Sequence, residues 1–172
     1  MTNLDIGLLI LRIVVGIIFV GHGSQKLFGW FDGPGMDGTT SMMEKMGMEP
    51  PQLWAWLSAM GELFGGLGLA LGLLTPIAAT ALVGSMLVAI IKVHWPNGLW
   101  NSDGGYEFPL VMAAAAFSVG LMGPGLLSLD NLLNLPLRQP LAYGIALLLM
   151  LAIVAVGLGQ SMRQEAEERQ HA

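Results

Sequence analysis

The sequence predicts an all-α integral membrane protein, a bundle of four helices with a fifth transmembrane helix at its C-terminal end. Hydrophobic residues make up 54% of the 172 residues and charged residues only 11%. Soluble domains carry roughly 25% charged residues. The mean hydropathy is +0.66, and five apolar runs approach the length of about 20 residues that a spanning helix needs. Lipid must therefore supply part of the solvent around this chain.

The five apolar runs are the predicted helices. They cover residues 6–28, 53–74, 76–93, 108–123 and 140–159, and the fourth is short. Proline lies at or near the start of the last four, where a helix tolerates it because its first N–H groups have no intrahelical partner. The tight turn "LTPI" joins the second run to the third, so these two helices are expected to be antiparallel neighbours.

Three domains are expected from this order. Residues 1–135 form the membrane bundle, residues 136–160 an additional transmembrane helix, and residues 161–172 a charged cytoplasmic tail. The stretch 124–139 is amphipathic enough to lie in the membrane interface. The apolar runs leave a polar loop at residues 29–51, the first loop, and another at residues 94–106, the third loop. Lysine and arginine are more frequent on the side of these two loops and the tail, which favours a cytoplasmic C-terminus.

The composition argues against several classes of function. The formal net charge is −5 and there is no basic patch, so nucleic acid is not an expected partner. The chain has no cysteine, which removes thiol catalysis and cysteine-ligated iron–sulfur clusters. No dense histidine motif such as H-E-x-x-H occurs, so no metal site is predicted. A redox role would need a bound cofactor or a partner.

Six ionisable groups are predicted to gather in one half of the bundle. They are His22, Lys26, Glu62, Lys92, His94 and Glu107. At 1.5 Å per residue, His22 lies roughly 9 Å and Glu62 roughly 14 Å below the end of the bundle that faces the first loop. In the first helix, Arg12, His22 and Lys26 fall on one stripe about 80° wide. This stripe is expected to face the bundle rather than lipid.

A charge at the centre of a bilayer costs about 2.5–3.5 kcal/mol on insertion scales, so such groups are normally paired and suggest a functional site. A structural ion-pair network is the alternative for Arg12, His22 and Glu62. Arg12 is expected to face the interior and to bind polar groups or backbone carbonyls. Lys26 and Lys92 are near helix ends and could instead reach the lipid headgroups. Glycines four residues apart around Glu62 permit either close helix contact or space for a flat ligand.

Several motifs of this chain resemble the DoxX family of small bacterial membrane proteins. They are Arg12, Gly16 and Phe19, followed by "HGSQKLFGW", "GELFGGLGLALGLLTPIAA" and "KVHWPNGLWNSDGGYEF", and the resemblance covers roughly residues 6–127. It implies a compact four-helix bundle in the cytoplasmic (inner) membrane and a loose association with redox chemistry. One branch is linked to a thiosulfate:quinone oxidoreductase, and other members are labelled oxidoreductases or parts of redox-protective complexes. The fifth apolar run and the lack of cysteine depart from this pattern.

The resemblance also implies a set of site residues. The family's polar positions match Arg12, His22, Lys26, Glu62, His94 and Glu107. We assign His22 and Glu62 as proton donors or acceptors and Lys26 as the group that stabilises a developing oxyanion. The remaining pocket residues are then Arg12, Lys92, His94 and Glu107.

Three functions remain open at this stage. The first is a membrane oxidoreductase, or a subunit of one, that uses a quinone-like electron carrier. The second is a non-enzymatic binding or assembly protein of a redox or stress-response complex. The third is a small-molecule or proton carrier, although five spans without a visible inverted repeat do not favour a transporter. The expected partners are the lipid bilayer and either a redox protein or a second copy of the chain.

Overall fold

The regular secondary structure of the chain is entirely helical. The computed structural model describes residues 2–137 and 140–171, and these contain no β-strand. The helices are α1 (Asn3–Phe28), α2 (Gly35–Lys45), α3 (Pro51–Leu71), α4 (Thr75–Ala89), α5 (Glu107–Met122), α6 (Leu129–Leu132) and α7 (Leu141–His171). Three stretches, Asn3–Phe28, Thr75–Asn97 and Leu141–Gln164, are long and apolar enough to cross a membrane, and Glu107–Met122 is a shorter apolar helix. The prediction of an all-α membrane bundle is confirmed.

The predicted helices correspond to α1, α3, α4, α5 and α7, but the first loop was predicted incorrectly. Residues 29–51 were treated as a polar loop, and α2 forms within them. Its sequence has little hydrophobic character, and only Thr39 and Met43 of this helix are buried. These two side chains pack against the rest of the bundle, so tertiary contacts rather than an apolar run stabilise α2. The last helix, α7, continues beyond the apolar run into the charged C-terminal residues.

Four helices form a closed ring. α1 packs most extensively on α3, and the contacts of α3 with α4, α4 with α5 and α5 with α1 complete the ring. α7 packs on the outside of α4. The buried core joins both layers, because Phe19, Leu82 and Met112 of the ring belong to the same apolar cluster as Met150 and Val154 of α7.

The close approach of α1 and α3 depends on glycine. A Cβ atom at Gly16 would lie 2.5 Å from the carbonyl oxygen of Gly66, and one at Gly66 would lie 2.7 Å from the carbonyl oxygen of Gly16. A Cβ atom at Gly23 would lie 2.4 Å from the backbone nitrogen of Leu63. Because the obstructing atoms belong to the backbone, a side chain at these positions would separate the helices. The spacing of small residues thus produces close helix packing, as it commonly does in membranes.

The glycines around Glu62 divide between two roles. Gly65 and Gly68 face α4, where a Cβ atom would lie 3.0 Å from the side chains of Leu82 and Ala78, respectively. Gly61 is different, because a Cβ atom there would meet only the Cβ of Ala81, at 4.0 Å. Part of this glycine-rich stretch therefore serves packing, and part leaves open space beside Glu62.

The segment 123–135 closes the end of the bundle that lies opposite the first loop. The guanidinium of Arg12, which is only 1% exposed, donates hydrogen bonds to the carbonyl oxygens of Pro124 and Leu127. This confirms the prediction that Arg12 faces the interior and binds backbone carbonyls. Asp130 accepts hydrogen bonds from the backbone N–H groups of Leu74 (2.6 Å) and Thr75 (2.9 Å), where α4 begins with unpaired donors. Arg12 and Asp130 thus fix this segment across the helix ends.

Candidate functional site

A cavity of about 1020 Å³ lies beside Glu62. Its walls are mostly apolar and include eight methionines: Met42, Met43, Met46, Met48, Met60, Met86, Met112 and Met150. Four aromatic side chains also line it: Phe19, Trp54, Trp56 and Phe108. Methionine is unbranched and polarisable and adapts to ligands of different shape. Such a lining, with one polar cluster, is typical of a site for a small organic ligand.

The polar cluster is centred on the buried carboxylate of Glu62, which is 1% exposed. Its Oε1 atom lies 2.7 Å from the Nζ of Lys26 on α1 and also accepts a hydrogen bond from Ser85 on α4. The same Nζ donates to the Oγ of Ser58 at 2.8 Å. Three helices therefore converge on one carboxylate oxygen. The charge of Glu62 is compensated by Lys26, as a buried charge requires.

The second oxygen of this carboxylate is chemically distinct from the first. Glu62 Oε2 is buried and has no hydrogen-bond partner among residues 2–137 and 140–171. A buried polar atom is nearly always hydrogen-bonded, and leaving one unpaired costs about 1–3 kcal/mol. Glu62 lines the cavity, so a donor group of a ligand there would satisfy this atom.

His22 lines the same cavity as Glu62. It lies one helical turn before Lys26 on α1, so the two side chains share a face. Its ring centroid is 6.1 Å from that of Phe108 on α5. The depth count from the sequence predicts His22 and Glu62 within roughly 5 Å of the same level of the bundle. In the structure, both side chains line this cavity.

A short π-helix, Ile90–His94, follows α4 and carries two further predicted site residues, Lys92 and His94. His94 lines the cavity, and its Nδ1 atom lies 2.7 Å from the carbonyl oxygen of Gly104. Lys92 points elsewhere and donates to the Oγ of Ser161 on α7 at 2.6 Å. That hydroxyl in turn donates to the carbonyl oxygen of Met46 at 2.6 Å. Lys92 thus joins α4 to α7 and to the connector that follows α2.

The cavity brings together four of the seven predicted site residues. His22, Lys26, Glu62 and His94 line it, whereas Arg12, Lys92 and Glu107 do not. Arg12 lies with the segment 123–135 at the opposite end, and Glu107 begins α5. In the part of the chain that the structure describes, no group of three or more His, Cys, Asp or Glu residues is arranged to hold a metal ion.

Sequence reasoning missed two hydroxyl groups of the cluster, although signals for both were present. Ser58 precedes Glu62 by four residues, which places both on one face of α3. Glu62 lies nine residues before the end of α3 at Leu71, and Ser85 lies ten residues after the start of α4 at Thr75. A short turn between two antiparallel helices brings residues at nearly equal distance from the turn to the same level of the bundle. The hairpin register would therefore have identified Ser85.

Comparison with known proteins agrees with this fold. A family model described as DoxX matches residues 7–95, which run from α1 to just after the π-helix. A Bacillus subtilis (strain 168) protein named "Putative oxidoreductase CatD" is 31% identical over 128 residues, covering 74% of this chain and 87% of that protein.

Two Escherichia coli (strain K12) proteins are also similar. "Inner membrane protein YqjF" is 29% identical over 130 residues, covering 76% of this chain and 94% of that protein. "Inner membrane protein YphA" is 30% identical over 133 residues, covering 72% and 88%, respectively. No solved structure gives a significant match. The chain therefore belongs to the DoxX family, as its motifs predicted, and is a multi-pass protein of the inner membrane.

Proposed function

We propose that this protein is a membrane oxidoreductase, or the membrane subunit of one, which binds a quinone-like electron carrier in the cavity. The observation that carries the proposal is the unpaired Oε2 of buried Glu62 at the polar end of a large, methionine-lined space. A quinone–quinol carrier needs an apolar slot, donors for the carbonyl oxygens of the quinone, and an acceptor such as Glu62 Oε2 for the O–H group of the quinol. The name of the Bacillus relative, "Putative oxidoreductase CatD", supports the same class of function.

Each polar side chain of the cluster has a role in this proposal. A bound quinone would accept two electrons and two protons, and the electrons must come from a bound cofactor or a redox partner, since this chain has no cysteine thiol to supply them. Lys26 and His22 donate hydrogen bonds towards the carbonyl oxygen and stabilise the negative charge that develops there. Glu62 holds Lys26 in place through Oε1 and exchanges a proton through Oε2.

Access for protons follows from the exposure of the cluster. Lys26 is 22% exposed at its side chain, whereas Glu62 is 1% exposed. The ion pair therefore connects a buried carboxylate with the side of the bundle that faces the first loop. Protons can reach the cluster from that side without crossing the apolar part of the cavity.

Binding of a quinone to purified protein tests the proposal. Trp54 and Trp56 line the cavity, so a bound quinone will quench tryptophan fluorescence. Glu62→Gln removes the charged acceptor for the O–H group of the reduced carrier, and a hydrogen bond to a charged group contributes about 1.5–3 kcal/mol, so the Kd of the quinol should rise about tenfold or more. Glu107→Gln is the matched control, because Glu107 lies outside the cavity lining.

The comparison requires that both variants insert into the membrane and stay folded at the temperature of the binding assay. Mass spectrometry of lipid extracts from the purified protein should also detect a co-purifying quinone. Equal quinol affinity in the wild type, Glu62→Gln and Glu107→Gln would refute a role of Glu62 in binding. Absence of any saturable quenching in the wild type would refute the proposed function as a whole.

A further inference from the structure

The cavity has an arm that lies outside the four-helix ring. α7 and α3 flank α4, and between them α4 presents one face to the cavity. Six residues of α4 at helical spacing form this face: Ile77, Thr80, Ala81, Gly84, Ser85 and Val88. Their spacing of three and one puts them on a single stripe. Ala81 lies at the centre of the stripe and Gly84 lets Met150 of α7 pack closely on α4, so the stripe between α3 and α7 forms the floor of a groove, which we call the α3–α7 groove.

The two walls of the groove are apolar. Leu57 and Gly61 of α3 line one side, and Ala146, Leu149 and Ile153 of α7 line the other. The three α7 residues follow a spacing of three and four and therefore share one face. α7 lies outside residues 7–95 that match the family model. This wall is thus an addition to the matched part of the bundle.

The groove opens through apolar side chains. Ile77, Leu57, Leu149 and Ile153 line it and are all exposed at the protein surface. Two of the helices that carry them, α4 and α7, are long and apolar enough to span a membrane. The surface around this opening therefore faces lipid hydrocarbon. The cavity also reaches the third loop, where Phe108 is exposed and His94 is half-buried.

The inner end of the groove meets the polar cluster. Ser85 is part of the floor and donates a hydrogen bond to Glu62, whose Oε2 is buried and unpaired. From Ile77 to Ser85 the floor runs for about 12 Å, at 1.5 Å per residue. An occupant of this groove therefore has an extended apolar chain and a polar head that ends beside Glu62.

We infer that the ligand is a membrane-resident quinone with a long hydrocarbon tail, which reaches Glu62 sideways from the bilayer with its tail in the α3–α7 groove. The inference rests on the proposed function for the quinone head group. Lipid is as apolar as the groove, so the tail gains little affinity by moving between them. The groove instead determines the route of access and the position of the tail, and these are what an experiment must measure.

Photochemical labelling in nanodiscs measures the position of the tail. The probe is a benzoquinone with a ten-carbon tail that ends in a diazirine, and mass spectrometry locates the labelled residues. We expect label on Leu57, Leu149 and Ile153, and at least a fivefold loss of this label when excess 2-methyl-1,4-naphthoquinone, which has no tail, occupies the head-group site. Quinones add to thiols, but this chain has no cysteine to form such adducts.

Two matched variants of α7 test the groove itself. Ala146→Phe fills the groove from a position away from Glu62, and Ala152→Phe makes the same change at an exposed position that does not line the cavity. We expect Ala146→Phe to lower groove labelling at least fivefold and Ala152→Phe to lower it less than twofold. The affinity of the tail-less quinone, measured by fluorescence quenching, should stay within twofold of the wild type in both.

The outcomes separate this inference from the proposed function. Label that is competed but lies on the third loop or on other helix faces would overturn the groove and leave quinone binding intact. The inference would also be overturned if excess 2-methyl-1,4-naphthoquinone did not reduce the groove label and a diazirine-bearing phosphatidylcholine gave the same label. That result would show that ordinary lipid occupies the groove. If the tail-less quinone does not bind the wild type, the proposed function fails, and this inference fails with it.

Discussion

Removing Lys26 should lower the free energy of unfolding more than removing the charge of its ion-pair partner Glu62. Lys26→Met leaves the carboxylate of Glu62, which is 1% exposed, without its cation. Removing one partner of a buried pair costs about 3–5 kcal/mol, and the partial exposure of Lys26 lowers this to about 2–3 kcal/mol. Glu62→Gln should cost less, about 1 kcal/mol, because Lys26 keeps its contact with Ser58 and reaches water.

A double-mutant cycle measures the coupling between the two side chains. The free energy of unfolding is obtained by titration with sodium dodecyl sulfate in mixed micelles, followed by tryptophan fluorescence. The double variant Lys26→Met/Glu62→Gln should be more stable than the sum of the single effects predicts, by about 1.5 kcal/mol, because it buries no unpaired charge. Lys45→Met and Glu44→Gln form the control cycle, since both residues are exposed on α2.

Additive effects of Lys26→Met and Glu62→Gln would refute this reasoning, because they would mean that the two groups do not interact in the folded protein. A larger loss from Glu62→Gln than from Lys26→Met would also contradict it. In that case the carboxylate would stabilise the bundle through Ser85 and other contacts rather than through its cation.

Three further predictions concern the framework around the site. Gly16→Ala should lower the free energy of unfolding by about 1–3 kcal/mol, and with it the melting temperature, because its Cβ would press on the α3 backbone. Gly21→Ala should leave the melting temperature unchanged, because a Cβ atom there has open space. Asp130→Asn should cost about 1–3 kcal/mol in detergent titration because the two N–H groups that start α4 lose a charged acceptor, whereas the same change at exposed Asp37 should have little effect. Ser161→Ala should speed hydrogen exchange in the connector between α2 and α3, and unchanged exchange there would contradict the role of this hydroxyl.

Part of the site was predictable because the cost of charge in lipid is a local property of the sequence. His22, Lys26 and Glu62 interrupt apolar runs, and counting residues from the helix ends predicts His22 and Glu62 within roughly 5 Å of the same depth, with Lys26 shallower. The spacing of the glycines around Glu62 similarly indicated close helix contact, which Gly65 and Gly68 make with α4. The contact between Glu62 and Ser85 was not predicted, since it depends on the register of two helices rather than on either helix alone.

The sequence by itself determined the all-α membrane class, the five apolar helices and the presence of a buried polar cluster, because each follows from residue polarity and helical period. Only the tertiary structure decided three other features. α2 folds inside a loop of low hydrophobicity because the bundle buries Thr39 and Met43. Arg12 lies apart from the cluster because carbonyl groups of the segment 123–135 receive its hydrogen bonds. The position of α7 against α4, and hence the α3–α7 groove, depends on contacts between residues far apart in the chain, which no local pattern records.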